Sequence, residues 1–394
     1  MDVTVPPIPQ EYDSYRTDLR AFIAEHKPAL KWKQRTGLRA PEDAADVEAL
    51  RGWVRALYDE GYVLDRFTTQ PSDRFEQRIL ERELGATGVP YVLGNPLVSG
   101  ALQMFGTPEQ QQIYLPAMAR GDHIWTQLFS EPNAGSDLAS LQTRARLDGN
   151  AYVVDGQKVW STWAQWSDYG YLLARTDDIP GSKGITAFIF DMHSRGVEIR
   201  PLREMTGTTD FNEVFLDSVR VPVDNVIGAP GQGWQVANAS LATERGGVGG
   251  GAGTDPMHAL VRLARQHRRA GRPAIEDSAV RQDIARLAAR ARIQRYLGYR
   301  VTTKAARGEL EGWDAPLTKI WFSELNLEMS EYGLELMGPR AEFVEGDPAA
   351  YEDGRWQDMF LYARAWTIAG GSNEIMRNLI AERGLGLPRE TRGS

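Results

Sequence analysis

Two short segments of the chain carry residues that could build a binding site. The first, at 125–137, reads WTQLFSEPNAGSD, and the second, at 158–162, reads KVWST. In the first segment Pro132 fixes one backbone φ angle, Gly135 permits close backbone approach, and Ser136 offers a hydroxyl and an N–H in one turn. Backbone amides in such a turn form an anion-binding concavity of the kind that holds a pyrophosphate. From this segment alone, a plain loop of turn-forming residues is an equally good interpretation.

Helical periodicity flanks these segments on both sides. From residue 11 to about residue 118, apolar residues repeat at helical spacing, and Thr-Pro-Glu-Gln at 107–110 predicts a helix start with a capping box. The helical period returns at Gly231, and residues 280–306 and 315–337 predict long amphipathic helices that pair in a bundle.

The stretch between the two helical regions has the period of β-strands. Asp148-Gly149 and Asp155-Gly156 separate the first three strand-like runs and predict tight hairpin turns. We therefore expect an α+β multidomain fold with an N-terminal helical domain (1–122), a central β-barrel or sandwich domain (123–230) and a C-terminal helical bundle (231–394). The strand-like runs are 143–147, 151–154, 158–161, 169–174, 185–191 and 214–221.

Composition argues against several classes of partner and site. The chain has 45 Lys and Arg against 53 Asp and Glu, a net charge of -8, so we expect no nucleic-acid partner. It contains no cysteine, which removes disulfides and thiolate metal ligands, and we expect no metal site. The N-terminus lacks the pattern of a signal peptide, and no apolar run approaches the roughly 18 residues of a membrane span, so we expect a cytoplasmic protein.

Four motifs in the same order resemble those of the acyl-CoA dehydrogenase family of flavoproteins. They are FSEPNAGSD at 129–137, GQKVWST at 156–162, ATERGG at 242–247 and IAGGSNEIMRNLIAERGLGLPR at 368–389. The resemblance implies an oxidoreductase of fatty acid metabolism and lipid degradation that dehydrogenates an acyl-CoA thioester at its α,β bond. It further implies FAD as cofactor, an electron-transfer flavoprotein as electron acceptor, and a homo-oligomer, either a dimer or a homotetramer.

The resemblance also implies flavin contacts, position by position. Ser130 would form a hydrogen bond with the flavin pyrimidine. Thr162 would form a hydrogen bond at the N5 edge of the flavin. Ser136 would bind the pyrophosphate and also the substrate. Trp160 would pack against the isoalloxazine, and Phe129 would complete this set of cofactor contacts. The alternative is that Trp160 belongs to the core of the β-domain and Thr162 is an ordinary strand hydroxyl.

The family reaction needs a carboxylate that takes the α-proton while the β-hydrogen leaves as hydride. One branch of the family carries it in the loop before the last motif, at the position of Gly370, which has no side chain. The other branch carries it on the helix after the β-domain, at the position of Glu244. Residues 234, 237, 241 and 244 fall on one helical stripe, so Glu244 is a lone acid ending an otherwise apolar face. The alternative is that Glu244 pairs with a buried cation or caps the glycines that follow.

Arg245 and the glycines after it bear on the substrate. The resemblance makes Arg245 a candidate to hold the CoA moiety, with a helix-surface salt bridge as the alternative. Six glycines between 246 and 253 predict that the helix ends or unwinds there, since each costs roughly 1 kcal/mol in a helix interior. The missing side chains could enlarge the pocket for a bulky, branched or ring-bearing acyl group, or the segment could be a mobile loop with no substrate role.

The C-terminal motif supplies candidate contacts to the FAD of a neighbouring subunit. Ser372 is placed to cap a helix that begins near Asn373, and helix N-termini attract phosphate and ribose groups. The resemblance makes Gly371, Ser372 and Glu374 the candidate contacts.

Two departures from the family pattern make other assemblies possible. Residues 267–271 read HRRAG where the family usually has Arg-x-x-Phe-Gly, and Glu335 stands near where a glutamine is common. Arg268 remains a candidate contact to the pyrophosphate. In these departures the chain resembles actinobacterial relatives that act on sterol-derived CoA thioesters. Some of those relatives combine two unlike subunits, so a heteromer is an alternative to a homo-oligomer.

Two other functions remain open from the sequence. The first is an oxidase or flavin monooxygenase of the same fold that uses oxygen, against which the presence of Glu244 argues. The second is a non-catalytic subunit of a heteromeric dehydrogenase, which predicts weak or absent flavin in the isolated chain.

Overall fold

The chain divides into two structural units. The structure, a computed structural model, describes residues 8–30, 40–68, 72–179, 181–247 and 256–389. The division between the units falls between Glu244 and Arg245, inside helix α6 (Gly233–Gly247). The domain boundaries expected after residues 122 and 230 remain predictions.

Within the described residues, the first unit begins with five α-helices in the region where the sequence has helical spacing. Their inward faces, with Leu50, Trp53, Leu80 and Leu102 fully or almost fully buried, form one core with one side of the β-sheet. The helices are α1 (Asp13–His26), α2 (Ala44–Asp59), α3 (Arg74–Gly85), α4 (Pro96–Phe105) and α5 (Pro108–Ala119).

Helix α5 begins where the Thr-Pro-Glu-Gln sequence predicts. The Thr107 hydroxyl accepts a hydrogen bond from the Gln110 N–H at 3.2 Å, and the Gln110 side chain accepts one from the Thr107 N–H at 3.1 Å. The Gln110 Nε2 also donates to the carbonyls of Asp224 and Val226, at 2.8 and 2.9 Å. The capping box is confirmed, and the same side chain ties α5 to the end of the β-region.

In the part of the first unit that the structure describes, eight strands form one mixed sheet. The strands are β1 (Trp125–Leu128), β2 (Arg144–Asp148), β3 (Ala151–Thr162), β4 (Tyr169–Arg175), β5 (Ile185–Asp191), β6 (Val197–Leu202), β7 (Phe211–Pro222) and β8 (Val226–Ile227). Their order is β6-β7-β3-β2-β4-β5-β8, with β1 beside β4. Strands β1 and β2 run parallel to β4, and the other neighbouring pairs are antiparallel.

Strands β4 and β5 are buried on both faces. In β4, Tyr171 and Leu173 pack with the five helices, whereas Leu172 and Ala174 face the other side of the sheet. There they join a second core together with Phe188 of β5. Burial on both sides explains why these two strands read as continuous apolar runs rather than as alternating patterns.

One of the two predicted hairpin turns is wrong. Gly149 does turn the chain between β2 and β3, with φ at +64°. Residues 155 and 156, in contrast, lie inside the single long strand β3. A Cβ on Gly156 would come within 2.4 Å of the Thr143 hydroxyl oxygen, so this glycine permits the close approach of two chain segments rather than a turn.

The second unit is built from helices that include the two long ones predicted by periodicity. A short hairpin, β9 (Arg268–Arg269) and β10 (Arg272–Pro273), precedes them. Among the helices of the described ranges, none is both long and apolar enough to cross a lipid bilayer. The helices are α7 (Pro256–Gln266), α8 (Ser278–Ala306), α9 (Asp314–Met337), α10 (Arg355–Ile368) and α11 (Asn373–Leu379).

Helices α9 and α10 pack at short range through a glycine and a tryptophan. Trp356 of α10 is fully buried, and its ring lies against the backbone of Gly333 in α9. A Cβ at position 333 would come within 2.2 Å of the Trp356 ring. Gly333 therefore sets the distance between the two helices.

We expect Gly333→Ala to lower the free energy of unfolding of the second unit by about 1–3 kcal/mol through overpacking. In helix α8, a Cβ on Gly298 would meet no atom within 4 Å. Gly298→Ala is therefore the matched control, and it should raise stability by up to about 1 kcal/mol because alanine is the better helix former. Urea unfolding measures both changes, and a stabilised Gly333→Ala variant would contradict this description of the packing.

Candidate functional site

The turn after β1 is fixed to strand β3 by backbone hydrogen bonds. Glu131 and Ala134 exchange N–H to carbonyl bonds at 3.0 Å, which closes the turn. The carbonyl of Ser130 accepts a hydrogen bond from the N–H of Val159 at 2.9 Å. The two sequence segments that carry the predicted cofactor contacts are therefore neighbours in space.

A buried ion pair joins the same two segments. Lys158 is fully buried, and its Nζ donates to Glu131 Oε1 at 2.8 Å and to the Phe129 carbonyl at 3.1 Å. The Glu131 carboxylate also accepts hydrogen bonds from the N–H groups of Gln142 and Thr143, at 2.6 and 2.9 Å. Glu131 thus holds the turn in place from the inside, and its carboxylate is fully engaged.

The pKa values of this pair follow from its surroundings. Burial works to raise the pKa of Glu131, but the Lys158 ammonium and the hydrogen bonds outweigh it and hold this pKa below its ordinary value. Burial lowers the pKa of Lys158 below its ordinary value, against the opposing pull of Glu131. The lowered pKa makes the Glu131 carboxylate a weak base, and its oxygens already accept hydrogen bonds from Lys158, Gln142 and Thr143, so it is unsuitable as a general base.

Trp160 occupies a strained position on an open surface. It lies in a bulge of β3, where the pairing with β7 shifts between Lys158 and Ser161. Its φ is +61°, a left-handed conformation that costs on the order of 1–3 kcal/mol for such a residue. The indole is 59% exposed, with its ring centroid 6.0 Å from that of Phe211. This exposure contradicts the alternative in which Trp160 belongs to the β-domain core.

The predicted hydroxyl contacts lie on either side of this bulge. Ser130 and Thr162 are both half-buried, and neither hydroxyl makes a hydrogen bond to another residue in the described ranges. Ser136 is exposed in the turn. Phe129 differs from these residues, because its ring is buried against Tyr171 at a centroid distance of 4.8 Å. The structure thus offers two available hydroxyls and one exposed indole, with Phe129 behind them.

Helix α6 carries the predicted base. Ala237 and Ser240 are buried, Leu241 is half-buried, and the Ser240 hydroxyl lies 3.4 Å from that of Tyr171. Position 244 follows one turn after Ser240. The side chains of Glu244 and Arg245, and the whole of residues 248–255, lie outside the part of the chain that the structure describes.

In the second unit, the loop between α10 and α11 carries three predicted contacts. Ser372 caps α11 as predicted, and its hydroxyl accepts a hydrogen bond from the Ile375 N–H at 3.4 Å. Gly370 and Gly371 both have left-handed backbones, with φ at +67° and +91°. Glu374 is exposed.

A buried lysine supports this loop, and sequence reasoning missed it. Lys319 of α9 donates from Nζ to the carbonyls of Gly371 and Thr367, at 2.8 and 3.2 Å, and to Asn373 Oδ1 at 2.8 Å. A lysine directly before an apolar run on a predicted bundle helix was the available signal, because a buried ammonium needs acceptors. Arg268 is exposed in the β9–β10 hairpin, where its guanidinium donates to the Gly271 carbonyl at 2.7 Å.

Comparisons with known proteins cover nearly the whole chain. Three family models, described as the N-terminal, middle and C-terminal domains of acyl-CoA dehydrogenase, match residues 9–122, 126–219 and 231–385. The chain is 39% identical to the acyl-CoA dehydrogenase IpdE1 of Mycobacterium tuberculosis, over 98% of this chain and 100% of that protein.

Solved structures of the same fold also match along the full length. The Tcur3481-Tcur3483 steroid ACAD is 29% identical, with a TM-score of 0.83 over 99% of this chain and 100% of that one. The ChsE4-ChsE5 complex from Mycobacterium tuberculosis is 28% identical, with a TM-score of 0.81 over 99% of this chain and 100% of that one.

We expect Glu131→Gln to destabilise the first unit by about 3–5 kcal/mol at neutral pH, because it leaves the buried Lys158 without a counter-charge. Because the folded-state pKa of Glu131 is lowered, its contribution is complete above the ordinary carboxylate pKa and disappears as the pH falls through the folded-state value. Unfolding curves of wild type and variant should therefore converge in acid.

The double variant Glu131→Gln with Lys158→Met is the control. Removing both partners leaves no unpaired charge, so this protein should be more stable than Glu131→Gln alone. Equal stability of the single and double variants would show that the ion pair does not hold the turn.

We expect Trp160→Gly to leave the cofactor-free protein unchanged or to stabilise it by roughly 1 kcal/mol, since glycine relieves the left-handed strain and little buried area is lost. Leu147→Gly is the control, because Leu147 is 62% exposed in strand β2 without such a backbone. It should lose about 0.5–1 kcal/mol. Thermal unfolding compares the two, and a similar loss in both would argue against strain at Trp160.

Proposed function

The chain belongs to the acyl-CoA dehydrogenase family, and on that premise we propose that it binds FAD and dehydrogenates a bulky or ring-bearing acyl-CoA. The family assignment covers all three domains and gives the reaction class, the α,β-dehydrogenation of an acyl-CoA thioester. The observation that carries the cofactor part of the proposal is the strained, exposed Trp160 between two available hydroxyls.

The residues around Trp160 fit a flat, polar-edged aromatic ligand. Such a ligand needs an apolar wall and a few placed hydrogen-bonding groups, and the family members are generally FAD proteins. In our proposal Trp160 supplies the wall, Ser130 and Thr162 bind the polar edges, and Ser136 binds the pyrophosphate and the substrate. Phe129 supports this surface from behind. FAD, when bound, supplies the acceptor for the hydride that leaves the substrate β-carbon.

Glu244 is our candidate for the group that takes the α-proton. Gly370 has no side chain, so the loop before α11 offers no carboxylate at that position. The Glu131 carboxylate is already paired with the Lys158 ammonium. A carboxylate acts as a base in such a reaction when a dry pocket raises its pKa, and the helical stripe that Glu244 continues in the sequence includes the buried Ala237. Arg245, the next residue, is the candidate to hold the CoA moiety.

The substrate class rests on the relatives and on the glycine run. Among solved structures of the fold, the steroid ACAD is similar along the full chain. The six glycines between 246 and 253 begin two residues after the proposed base and carry no side chains. Both facts support a large acyl group such as a steroid-type side chain or ring fragment.

We also propose a partner and an assembly. An electron-transfer flavoprotein would accept the electrons, as the family resemblance implies. Gly371, Ser372, Glu374 and Arg268 would contact the FAD of a neighbouring subunit in a dimer or tetramer. Because ChsE4-ChsE5 is a complex of two named chains, a heteromer is the alternative, and one FAD per chain in a homo-oligomer would exclude it.

We expect Glu244→Gln to retain FAD but to reduce substrate-driven flavin bleaching by at least about 10²–10⁴-fold, the usual contribution of a positioned general base. Anaerobic bleaching with straight, branched and steroid-type acyl-CoAs measures it, and wild type should bleach fastest with the bulky thioesters. Glu309→Gln, at an exposed glutamate, is the control and should behave as wild type.

A loss of only a fewfold in Glu244→Gln would refute the base assignment. Faster bleaching of wild type by a short straight-chain acyl-CoA than by any bulky one would instead refute the substrate class. No bleaching and no bound flavin in wild type would favour the non-catalytic subunit of a heteromer.

A further inference from the structure

The segment from Trp160 to Trp163 contains two left-handed tryptophans within four residues. Trp160 has φ at +61° and Trp163 has φ at +56°. Left-handed backbone is unfavourable for a residue with a large side chain, so such a segment persists only where its surroundings determine its conformation. In this protein, groups of the turn after β1 and of strand β7 with its preceding residues contact the segment.

Hydrogen bonds from the backbone and from side chains hold the segment. The Val159 N–H donates to the Ser130 carbonyl at 2.9 Å, and the Trp163 N–H donates to the Asp210 carbonyl at 3.0 Å. Between them, Asn212 Nδ2 donates to the Ser161 carbonyl at 3.0 Å. The Ser167 hydroxyl donates to the Trp163 carbonyl at 2.9 Å, at the end of the segment, whereas Asn212 is a side-chain anchor inside it that a substitution can remove without changing the backbone.

Asn212 is placed for this contact by the sheet and by a second amide. It lies on strand β7, fully buried, directly opposite Ser161 of β3 in the register. Its Nδ2 also donates to Gln165 Oε1 at 2.5 Å, and Gln165 Nε2 in turn donates to the Thr209 carbonyl at 2.9 Å. The orientation of the Asn212 amide is thus determined by Gln165.

The buried polar side chains of Asn212 and Ser161 do not stabilise the sheet by packing. Both Asn212 Oδ1 and Ser161 Oγ are buried, and neither has a hydrogen-bond partner within the described residues. An apolar pair at these positions would avoid that desolvation cost, since unsatisfied buried polar atoms are rare in native proteins. Stability of the sheet therefore does not explain the asparagine, whereas its bond to the Ser161 carbonyl, in the middle of the strained segment, does.

We propose that Asn212 is a positioning residue that holds β3 in the bulged conformation presenting Trp160 and Thr162 to the flavin. The proposal rests on the proposed function, because the flavin site includes these two side chains. Asn212 acts through the Ser161 carbonyl and does not itself touch the cofactor or the substrate.

The first test needs no cofactor. The chain has 11 tryptophans, so the cofactor-free protein labelled with 5-fluorotryptophan gives 11 fluorine resonances in principle, and Trp160→Phe identifies that of Trp160. Asn212→Asp keeps the size of the side chain but removes the donor, and it should shift or broaden the Trp160 resonance. Asn212→Leu, which leaves no charge in the sheet, should do the same and serves where the aspartate variant does not fold.

Asn225→Asp is the matched control. Asn225 lies in the same β-region and donates from Nδ2 to the Ile189 carbonyl at 2.9 Å, away from the bulge. It should leave the Trp160 resonance in place. An unmoved Trp160 resonance in both Asn212 variants would overturn the proposal, as would an equal shift in Asn225→Asp.

The second test measures FAD affinity by titration of the same cofactor-free proteins. The Asn212 variants should bind FAD roughly tenfold more weakly, the loss expected for one hydrogen bond, while Asn225→Asp should match wild type. A shifted Trp160 resonance with wild-type FAD affinity would overturn the positioning role. Failure of wild type itself to bind FAD would refute the proposed cofactor, and the fluorine spectra would still decide whether Asn212 holds the segment.

Discussion

The buried ion pair between Glu131 and Lys158 is the interaction on which the candidate site depends. It connects the turn after β1 with strand β3, and these are the segments that carry the predicted flavin contacts. A buried charge pair is favourable only when further hydrogen bonds satisfy it, and here two backbone N–H groups and the Phe129 carbonyl do so. The pair therefore contributes geometry to the site rather than chemistry.

The sheet holds the turn after β1 and the bulge of β3 in a rigid framework. Strands β4 and β5 are packed on both faces, and β3 pairs with β7 over most of its length, so the bulge at Trp160 sits on a framework with little freedom to relax. Strain at this position can persist because the surrounding hydrogen bonds outweigh it. For the same reason, removal of the Trp160 indole should weaken cofactor binding more than it lowers the stability of the fold.

Local signals predicted a large part of the fold. Thr107 and Gln110 cap helix α5, Ser372 caps α11, and Gly149 turns β2 into β3, since each of these depends on residues within three positions of one another. The same reasoning was wrong at Asp155-Gly156, because a glycine that permits a close approach to Thr143 looks identical in sequence to a glycine that permits a turn. Only the partner segment distinguishes the two.

The sequence by itself determined the order of helical and β regions, the family, and the candidate residues Ser130, Trp160, Thr162 and Glu244. Tertiary structure decided that Glu131 is paired with a buried lysine and that Trp160 is strained and exposed. It also decided that Asn212 bonds to the bulged part of β3 and that Lys319 bonds to the loop between α10 and α11. Motifs and caps are encoded by nearby residues, so a sequence shows them directly. Pairings such as Glu131 with Lys158 or Ser161 with Asn212 span 27 and 51 residues, and only the folded chain brings their atoms together.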